Sequence, residues 1–449
     1  MDLKGKRVLV VGLARTGLAV SRFLVGRGAR VTAADLMTQD ALGAKAREAR
    51  DLGISLQLGP HDAHTFLSQD LIVVSPGVPE QTEPLGRAAR AGIPVIGELE
   101  LAFRYVDAPV VAVTGTNGKT TTTRLIGDML QASGKKVFVG GNIGRPLIEL
   151  VDRGQRVEVI VVEVSSFQLD TAVTFRPRVG VLLNISEDHM DRYERFEDYM
   201  HSKGRLFENQ GPEDVAILNE ADRFTRDLEE GIQSQRLYFN RGVSNGSPGA
   251  GVHEGTLVCR MPQGAAWEFD LADFGLSGRH NAENACAAVL AAAAIGGSFR
   301  AIQKALKAVR PLPHRLQDVK TVRGVRYVDD SKGTNVGAVV RALDSYDAPV
   351  ILIMGGRDKG GDYGPLKKPV AKKVKRLIVL GEAKGRIAAV LGAMTEYEQV
   401  KDLEQAVRLA SNAARPGDVV LLSPGCSSFD MFHDYKERGD AFSRAVEAL

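Results

Sequence analysis

Cysteine is scarce in this sequence: three residues, Cys259, Cys286 and Cys426, are spread over 449 positions. An odd number at wide spacing is a poor basis for a disulfide framework or a CxxC metal site, and it favours a reducing compartment. Residues 1–7 lead directly into a strand pattern, which leaves no apolar region for a signal peptide. No apolar run reaches the ~20 residues that a membrane helix needs. We therefore expect a cytoplasmic protein without membrane insertion.

A strong excess of charge of either sign is also missing. Lys and Arg total 58 against 55 for Asp and Glu, a formal net charge of +3. A balance this small gives no long-range attraction for nucleic acid, so small molecules are the expected partners. Hydrophobic residues make up 44% and aromatic residues 6%, which is an ordinary globular composition. The length exceeds what one hydrophobic core supports, and three domains fit best.

Short β-branched runs alternate with helical patterns along the whole chain, which predicts parallel sheets covered by helices. The runs are RVLVVG, LIVVSPG, VVAVTG, VIVVEVSS, VGVLLN, VILIMGG, LIVLG and VVLLSPG. We predict an α/β fold with three domains: a Rossmann-like N-terminal domain at 1–98, a central P-loop ATPase-type domain at 99–310 and a Rossmann-like C-terminal domain at 311–449. Many runs end in Gly, Ser, Thr or Asn, and open α/β sheets bind ligands at such strand ends.

The most specific motif is a glycine loop between a buried strand pattern and a helical pattern. It contains Gly115, Thr116, Asn117, Gly118, Lys119, Thr120 and Thr121. Backbone N–H groups in such a loop bind phosphate, the lysine adds positive charge, and the first threonine after it supplies a hydroxyl for Mg²⁺. Val113 stands where the general pattern has its first glycine, so the loop is a variant. ATP is the predicted ligand, although the loop alone does not separate kinase, ATPase and ligase.

Acidic and imidazole side chains follow the next two strand patterns. Glu163 ends the strand pattern at 157–164, and His189 follows the one at 179–183. A carboxylate at the end of an apolar strand needs a cation or donor partner, and Mg²⁺ beside a triphosphate would serve. Each residue alone would have an ordinary structural role. Together with the phosphate loop they predict one crevice that gathers a lysine, hydroxyls, a carboxylate and an imidazole.

Seven segments together resemble the Mur ligase family, and they extend over almost the whole chain. They are TGTNGKTT at 114–121, GNIG at 141–144, EVSSFQL at 163–169, NISEDHMDRY at 184–193, LSGRHNAENA at 276–285, LPHRLQDV at 312–319 and DDSKGTNVGA at 329–338. With SPGCSSFDMF, these motifs look like the branch of the family that adds D-glutamate. No DNPR signature of the diaminopimelate-adding branch is present.

The resemblance implies an ATP-dependent amide ligase of peptidoglycan precursor synthesis that works through an acyl phosphate. The first domain would hold the UDP end of UDP-N-acetylmuramoyl-L-alanine, the central domain ATP with two Mg²⁺ ions, and the third domain D-glutamate. The substrate carboxylate would attack the γ-phosphate, and the amine of D-glutamate would then attack the acyl phosphate. Catalysis would require domain closure, and we expect a monomeric chain.

The resemblance also implies a catalytic set of Lys119, Glu163, His189 and Lys203. Lys119 would stabilise the transferring phosphoryl group; Thr120 and Glu163 would bind one Mg²⁺, and Glu163 and His189 the second. On spacing alone Lys203 would be a solvated helix lysine. Only the resemblance implies that it is carbamylated and becomes a ligand of the second ion, since a free ammonium would repel the metal.

Further positions are implied by the same resemblance. Asn281 and Asn284 would contact ATP near its base, Arg315 its γ-phosphate and Asp330 its ribose. Asn142 and Ser165 would face the muramoyl substrate. The amino-acid site would contain Lys332, Thr334, Lys359, Ser428 and Tyr435, whose charges and hydroxyls suit a dicarboxylate.

The first domain begins with a weaker motif. Gly12 and Gly17 with Asp35 resemble a dinucleotide fingerprint, yet Ala14 replaces its middle glycine and would crowd a pyrophosphate. By the family resemblance the ligand would be the UDP portion, contacted by Thr16, Asp35 and Ser75. Arg15 and Leu36 differ from the residue types expected in relatives, which affects the details of uracil and pyrophosphate contact.

Three other functions compete with this interpretation. Another amino-acid ligase of the same superfamily, including a folylpolyglutamate synthase, would share the central motifs, although the complete first domain argues against folate. An NAD(P)-dependent oxidoreductase would use the first domain, which Ala14 disfavours. A non-catalytic nucleotide-binding protein would not require Glu163, His189 and Lys203.

Overall fold

The structure is a computed structural model, and it describes residues 1–79, 82–242, 247–264, 266–276, 278–358 and 360–449. Three β-sheets, each covered by helices, follow one another along the chain. The predicted α/β class with three domains and parallel sheets is therefore confirmed. Within the described residues, no helix is both long enough and apolar enough to cross a membrane.

The first sheet has the strand order β3-β2-β1-β4-β5, and neighbouring strands are parallel. This is the order of the first five strands of a Rossmann fold. Apolar β-branched residues make its inner strands buried on both faces, as expected for parallel strands between helices. The elements are β1 (Arg7–Val11), α1 (Arg15–Gly26), β2 (Arg30–Asp35), α2 (Gln39–Leu42), α3 (Ala44–Asp51), β3 (Ser55–Leu58), α4 (Ala63–Leu67), β4 (Leu71–Val74), α5 (Glu83–Arg90), β5 (Val95–Gly97) and α6 (Glu98–Phe103).

The central sheet has nine strands in the order β14-β13-β12-β11-β10-β9-β6-β8-β7. It is parallel from β7 to β12, and β12 to β14 add an antiparallel edge. Its elements are β6 (Val110–Thr114), α7 (Lys119–Ala132), β7 (Val137–Gly141), α8 (Ile148–Asp152), β8 (Val159–Glu163), α9 (Ser166–Asp170), β9 (Val179–Leu182), α10 (Phe196–Gly204), β10 (Val215–Asn219), α11 (Arg223–Asp227), β11 (Gln235–Phe239), β12 (Gly249–His253), β13 (Thr256–Arg260), β14 (Ala266–Asp270), α12 (Arg279–Ala294) and α13 (Phe299–Ala308), with short 3₁₀ turns at Arg205–Phe207 and Glu229–Gly231.

The third sheet has the order β15-β16-β20-β17-β18-β19, parallel except for the β15–β16 hairpin. Its elements are β15 (Gln317–Val322), β16 (Val325–Asp329), α14 (Val336–Asp344), β17 (Val350–Gly355), a 3₁₀ turn (Gly364–Leu366), α15 (Lys367–Lys373), β18 (Val374–Leu380), α16 (Lys384–Leu391), β19 (Tyr397–Gln399), α17 (Leu403–Ala413), β20 (Val419–Leu422) and α18 (Tyr435–Glu447).

Packing joins the first and central sheets to each other more closely than it joins either of them to the third sheet. One apolar cluster runs from the first sheet through Leu99 and Leu101 into the central unit, where it includes Phe175 and Tyr199. The two clusters that pack on the third sheet draw their buried residues from the third unit alone. The third unit therefore has a core of its own, which is the condition for moving as one body.

Two buried glutamates of α6, the helix that connects the first sheet to the central sheet, hold the first two units together. The Glu98 carboxylate accepts a hydrogen bond of 2.7 Å from the backbone N–H of Ile148, where α8 begins. Glu100 accepts from the backbone N–H groups of Val173, Thr174 and Phe175 at 2.9–3.0 Å. Burial raises the pKa of Glu98 to about 7, so part of the population of this group is protonated near neutral pH.

Candidate active site

The predicted phosphate loop lies between β6 and α7, and its two glycines are required by the backbone. Gly115 and Gly118 have φ of +143° and +87°, values that residues with a Cβ rarely adopt. A Cβ on Gly118 would lie 2.3 Å from the side-chain oxygen of Asn284. The loop therefore closes tightly against β9 and α12, and Gly118 serves as the N-cap of α7. This is the strand, loop and helix arrangement that binds phosphate at a helix N-terminus.

Lys119 folds back over this loop. Its Nζ donates hydrogen bonds to the carbonyl oxygens of Gly115 at 2.7 Å and Thr116 at 2.9 Å. These bonds hold the ammonium group at the centre of the loop, where the phosphates of a nucleotide would lie. The position suits a residue that stabilises negative charge on a transferring phosphoryl group.

Glu163 is the centre of a hydrogen-bond chain that crosses two units. The buried carboxylate accepts from the Thr120 hydroxyl at 2.8 Å and from the Asn142 amide at 2.9 Å. The Thr120 oxygen in turn accepts from the Arg315 guanidinium at 2.8 Å. Four residues expected at the reaction centre are thus in direct contact, and Arg315 belongs to the segment that leads into the third sheet.

His189 lies in the same cleft, beyond the end of β9. Its backbone has φ of +60°, and its ring packs edge-to-face on Phe167 with centroids 4.8 Å apart. The ring Nε2 lies 3.7 Å from a carboxylate oxygen of Asp188. The aromatic contact and the backbone conformation therefore fix the direction of the imidazole toward the cleft.

Lys203 is buried at 1% exposure on α10, so the expectation of a solvated lysine from spacing alone is wrong. Its Nζ donates to the Gly115 carbonyl oxygen at 3.2 Å and lies 4.5 Å from the centre of the Tyr199 ring. Burial, and then the nearby charge of Lys119, lowers the pKa of Lys203 well below its usual value. The sequence signal that was available is the helical spacing of Lys203 from the apolar Tyr199, four positions earlier.

One central cleft of about 560 Å³ contains most of the predicted site residues. The cleft is lined by Thr116, Asn117, Gly118, Lys119, Thr120, Asn142, Glu163, Ser165, His189, Arg315, Lys332, Thr334, Ser428 and Tyr435, among others. Residues of the central unit form one wall, and residues of the third unit form the other. Asn117 and Asn335 link the walls through side-chain hydrogen bonds of 3.3 Å.

A smaller cavity, which we call the nucleotide cavity because predicted ATP contacts line it, continues from the phosphate loop between α12 and the third unit. The predicted ATP contacts Thr121, Asn281, Asn284, Arg315 and Asp330 line it. Asp330 accepts a hydrogen bond from Ser423 at 2.8 Å, and burial raises its pKa to about 7. His280 and Arg341 also line this cavity but were not among the predicted contacts. His280 stands next to Asn281 in the same motif, whereas nothing in the sequence marked Arg341.

The third unit lines one end of the central cleft, which we call the amino-acid end because the residues predicted to bind the amino acid lie there. Lys332 Nζ lies 4.0 Å from the centre of the Tyr435 ring, and Ser428 is buried beside them. Lys359, which was expected in this group, lies outside the described residues. Arg357 lines the same end of the cleft and was not predicted, although its position two residues after the end of β17 was a usable signal.

Of the first-unit residues predicted to bind the UDP end, only some lie at a cavity. Ser75 lines a cavity of about 400 Å³ that it shares with Phe167, Asp191 and Arg192. Phe167 and Asp191 also line the central cleft, so the two spaces adjoin. Asp35 instead accepts hydrogen bonds from the backbone N–H of Leu13 at 2.7 Å and of Met37 at 2.9 Å. These bonds fix the loops that follow β1 and β2.

Thr16 stands in the first turn of α1 and is not among the residues that line either space. The other two predicted contacts of the muramoyl substrate, Asn142 and Ser165, lie in the central cleft. Ser165 also caps α9 through the backbone N–H of Gln168 at 3.3 Å. The substrate path suggested by these positions runs from Ser75 past Phe167 to Glu163.

The oxygen donors of Glu163 and Thr120 are of the kind that Mg²⁺ prefers, so the site fits this ion in its chemistry. Among the described residues, however, no three His, Cys, Asp or Glu side chains form a metal-holding group. A full ligand set here would need the Thr120 hydroxyl and a modified Lys203 in addition to Glu163 and His189.

Comparisons with known proteins agree with this geometry. Family models match three parts of the chain: a Mur ligase MurD-like N-terminal domain at 6–97, the Mur ligase middle domain at 113–292 and the Mur ligase glutamate ligase domain at 314–426. A protein of Desulfatibacillum aliphaticivorans named UDP-N-acetylmuramoylalanine–D-glutamate ligase is 50% identical over 100% of both chains. One of the same name from Geotalea daltonii is 49% identical and covers 100% of this chain and 99% of its own.

Solved structures share the fold at low identity. A pseudomurein peptide ligase type C of Methanothermus fervidus has a TM-score of 0.63 at 19% identity, covering 99% of this chain and 100% of its own. A UDP-N-acetylmuramate-alanine ligase of Thermotoga maritima has a TM-score of 0.59 at 17% identity, covering 99% of each chain. At such identities these structures support the three-unit fold and nothing finer.

Proposed function

This chain belongs to the Mur ligase family, and from that premise we propose that it joins D-glutamate to UDP-N-acetylmuramoyl-L-alanine at the expense of ATP, through an acyl phosphate. The observation that carries the proposal is the central cleft, where the phosphate loop, Glu163 and His189 face the amino-acid end formed by Lys332, Ser428 and Tyr435. A nucleotide, a carboxylate and an amine donor can therefore meet in one space.

The first step would be attack of the substrate carboxylate on the γ-phosphorus of ATP. A bond forms from the carboxylate oxygen to phosphorus, and the bond from phosphorus to the bridging oxygen breaks, which releases ADP. Lys119 and Arg315 stand where charge on the transferring group would develop. Bound Mg²⁺ would neutralise the facing anions, with Thr120, Glu163 and His189 as the side chains that would hold it.

In the second step the amine of D-glutamate would attack the carbonyl carbon of the acyl phosphate. A tetrahedral intermediate forms, the carbon–oxygen bond to phosphate breaks, and inorganic phosphate leaves as the amine nitrogen loses a proton. The amide, ADP and phosphate are the products. Because the walls of the cleft belong to different units, relative motion of the third unit would bring the amine to the carbonyl and exclude water.

The proposal includes a carbamate on Lys203. The neutral amine would add to carbon dioxide and release a proton, which forms the carbamate. Burial next to Lys119 lowers the pKa of this lysine and so favours the neutral amine. The modification turns a cation into an anion that can bind a metal, so it would also relieve the repulsion between Lys203 and Lys119.

Each unit of the chain has its own proposed ligand. The first unit, 1–98, would bind the UDP end through Thr16, Asp35 and Ser75; the central unit, 99–310, would bind ATP; and the third unit, 311–449, would bind D-glutamate. A monomer is the proposed active form, because all walls of the cleft come from one chain. The cytoplasm is the proposed location, since the reaction consumes ATP.

Release of inorganic phosphate tests the proposal directly. Purified protein is supplied with ATP, Mg²⁺ and UDP-N-acetylmuramoyl-L-alanine, and D-glutamate, L-glutamate, L-lysine and L-alanine are compared. Phosphate release that depends on D-glutamate supports the proposal. Release with another amino acid alone would favour the second candidate, a different amino-acid ligase of the same superfamily.

A further inference from the structure

Arg357 places a second cationic side chain at the amino-acid end of the central cleft. It follows β17 and lines the cleft together with Ser428 and Tyr435. The residue is exposed, and its guanidinium makes no hydrogen bond or ion pair within the part of the chain that the structure describes. Guanidinium groups bind carboxylates and phosphates through two parallel hydrogen bonds, so an anionic group of a substrate is the natural partner.

The backbone that carries Arg357 is tightly held. Its N–H donates to the Ser427 carbonyl oxygen at 2.9 Å, and the Ser427 N–H donates back at 3.2 Å. The preceding Gly356 has φ of +135°, and a Cβ there would lie 2.2 Å from the same carbonyl oxygen. The base of the Arg357 side chain is therefore fixed beside the loop that presents Ser428.

A buried arginine also holds the loop that carries Ser427 and Ser428. Arg438, at 3% exposure, donates to the carbonyl oxygens of Cys426 at 3.1 Å and Ser427 at 3.2 Å, and to the hydroxyl of Ser331 at 2.9 Å. It thus ties the loop of Ser428 to the segment that precedes Lys332. Lys332 and Arg357 are therefore carried by loops that are hydrogen-bonded to one another.

Two acidic residues of the third unit that line the central cleft with Arg357, Asp358 and Asp434, are engaged elsewhere. Asp358 forms an ion pair with Arg386. Asp434 caps α18 and accepts from the backbone N–H groups of Lys436 and Glu437, both at 2.9 Å. Neither carboxylate is paired with Arg357, so its charge is available to a ligand.

We propose that Arg357 is a specificity-determining residue that binds the side-chain carboxylate of the incoming D-glutamate, an inference that rests on the proposed function. Lys332 lines both the nucleotide cavity and the central cleft, whereas Arg357 lines the central cleft only. The amine of the amino acid must reach the acyl phosphate at the nucleotide side, and the α-carboxylate is attached next to that amine. The side-chain carboxylate extends away from it, toward Arg357.

The test is a comparison of Michaelis constants for all three substrates in Arg357→Gln, Arg357→Lys and the wild type. Arg357→Gln should raise KM for D-glutamate by about 10- to 100-fold, the effect of losing a charge-assisted contact. Arg357→Lys keeps the charge but cannot form two parallel hydrogen bonds, so its KM for D-glutamate should lie between those of Arg357→Gln and the wild type. KM for ATP and for the UDP-linked substrate should stay within about twofold of the wild type.

Substrate preference identifies which carboxylate is bound. D-Glutamine has an uncharged amide in place of the side-chain carboxylate, so Arg357→Gln should reduce the preference for D-glutamate over D-glutamine by about tenfold or more. An unchanged preference, an equal rise in KM for ATP or for the UDP-linked substrate, or an unchanged KM for D-glutamate would each overturn the assignment.

Arg408→Gln is the matched control, since Arg408 is an exposed arginine of α17 outside the cleft. It should leave all three Michaelis constants unchanged, and the melting temperatures of the three variants should match the wild type. Failure of the proposed function is recognised separately, because the wild type itself would then release no phosphate with D-glutamate.

Discussion

The Nζ of Lys203 lies 3.2 Å from the carbonyl oxygen of Gly115, which also accepts a hydrogen bond from Lys119 at 2.7 Å. One carbonyl of the phosphate loop thus receives two lysine side chains, one of them fully buried. Two ammonium groups so close together repel each other, and burial adds to the cost of charging Lys203. Both effects favour the neutral amine of Lys203, which is the form that a carbamate requires.

The first prediction concerns this lysine. Lys203→Ala should remove most ligation, at least about 100-fold in kcat, if its carbamate supplies a metal ligand. Acetate or another short carboxylate should partly restore the rate by filling the space with an anion. The measurement is phosphate release as a function of added carboxylate. Wild-type turnover in Lys203→Ala would rule out the carbamate and leave Glu163 and His189 as the metal-binding pair.

The second prediction concerns Lys119. Lys119→Ala should reduce kcat by about 1000-fold or more while the melting temperature stays close to the wild type, because it removes charge from the phosphate loop and leaves core packing intact. Added carboxylates should give no recovery, in contrast to Lys203→Ala. The exposed Lys372 of α15 gives the matched control, Lys372→Ala, which should keep full activity. Normal turnover in Lys119→Ala would refute the ATP site.

The third prediction separates the two ends of the central cleft. Tyr435→Ala and Ser428→Ala should raise KM for D-glutamate by about tenfold, with KM for ATP changed by less than about twofold, because both residues lie in the third unit. Tyr435→Phe removes the hydroxyl but keeps the ring that faces Lys332, so its KM for D-glutamate should lie between those of Tyr435→Ala and the wild type. Equal effects on both Michaelis constants would place these residues elsewhere in the mechanism.

The fourth prediction concerns the junction between the first two units. Burial raises the folded-state pKa of Glu98 from 4.5 to about 7. The folded state therefore binds more protons than the unfolded state between these values, and the contribution of Glu98 to stability falls as pH rises through this window. The loss is on the order of 3 kcal/mol.

Glu98→Gln removes the ionisation and keeps an acceptor for the N–H of Ile148. The melting temperature of the variant relative to the wild type should rise steadily from pH 5 to pH 8. Glu83→Gln, on the exposed start of α5, is the control and should show no such trend. A constant difference across the range would show that Glu98 does not titrate there.

Much of the fold and of the reaction centre could be predicted from the sequence, because the signals are local. Apolar β-branched runs specify buried parallel strands, and the carboxyl ends of such strands meet at one edge of a sheet. Glu163 is the last residue of β8, His189 follows β9, and Thr120 lies in the first turn of α7. Their convergence followed from strand order once the phosphate loop was recognised. Gly115 and Gly118 are explained equally locally, by backbone angles that favour glycine.

Only the tertiary structure decided which distant side chains complete the site. Arg315 meets Thr120 across 195 positions of sequence, and Lys203 is buried because α10 packs beneath the phosphate loop. Arg341 carries no sequence signature, and the strand end before Arg357 indicated its place but not its surroundings, since the role of an arginine depends on which surfaces enclose it. The sequence by itself determined the elements and the chemistry at their ends; packing between units determined the dielectric surroundings and the partners of each charge, because both depend on contacts that local pattern does not encode.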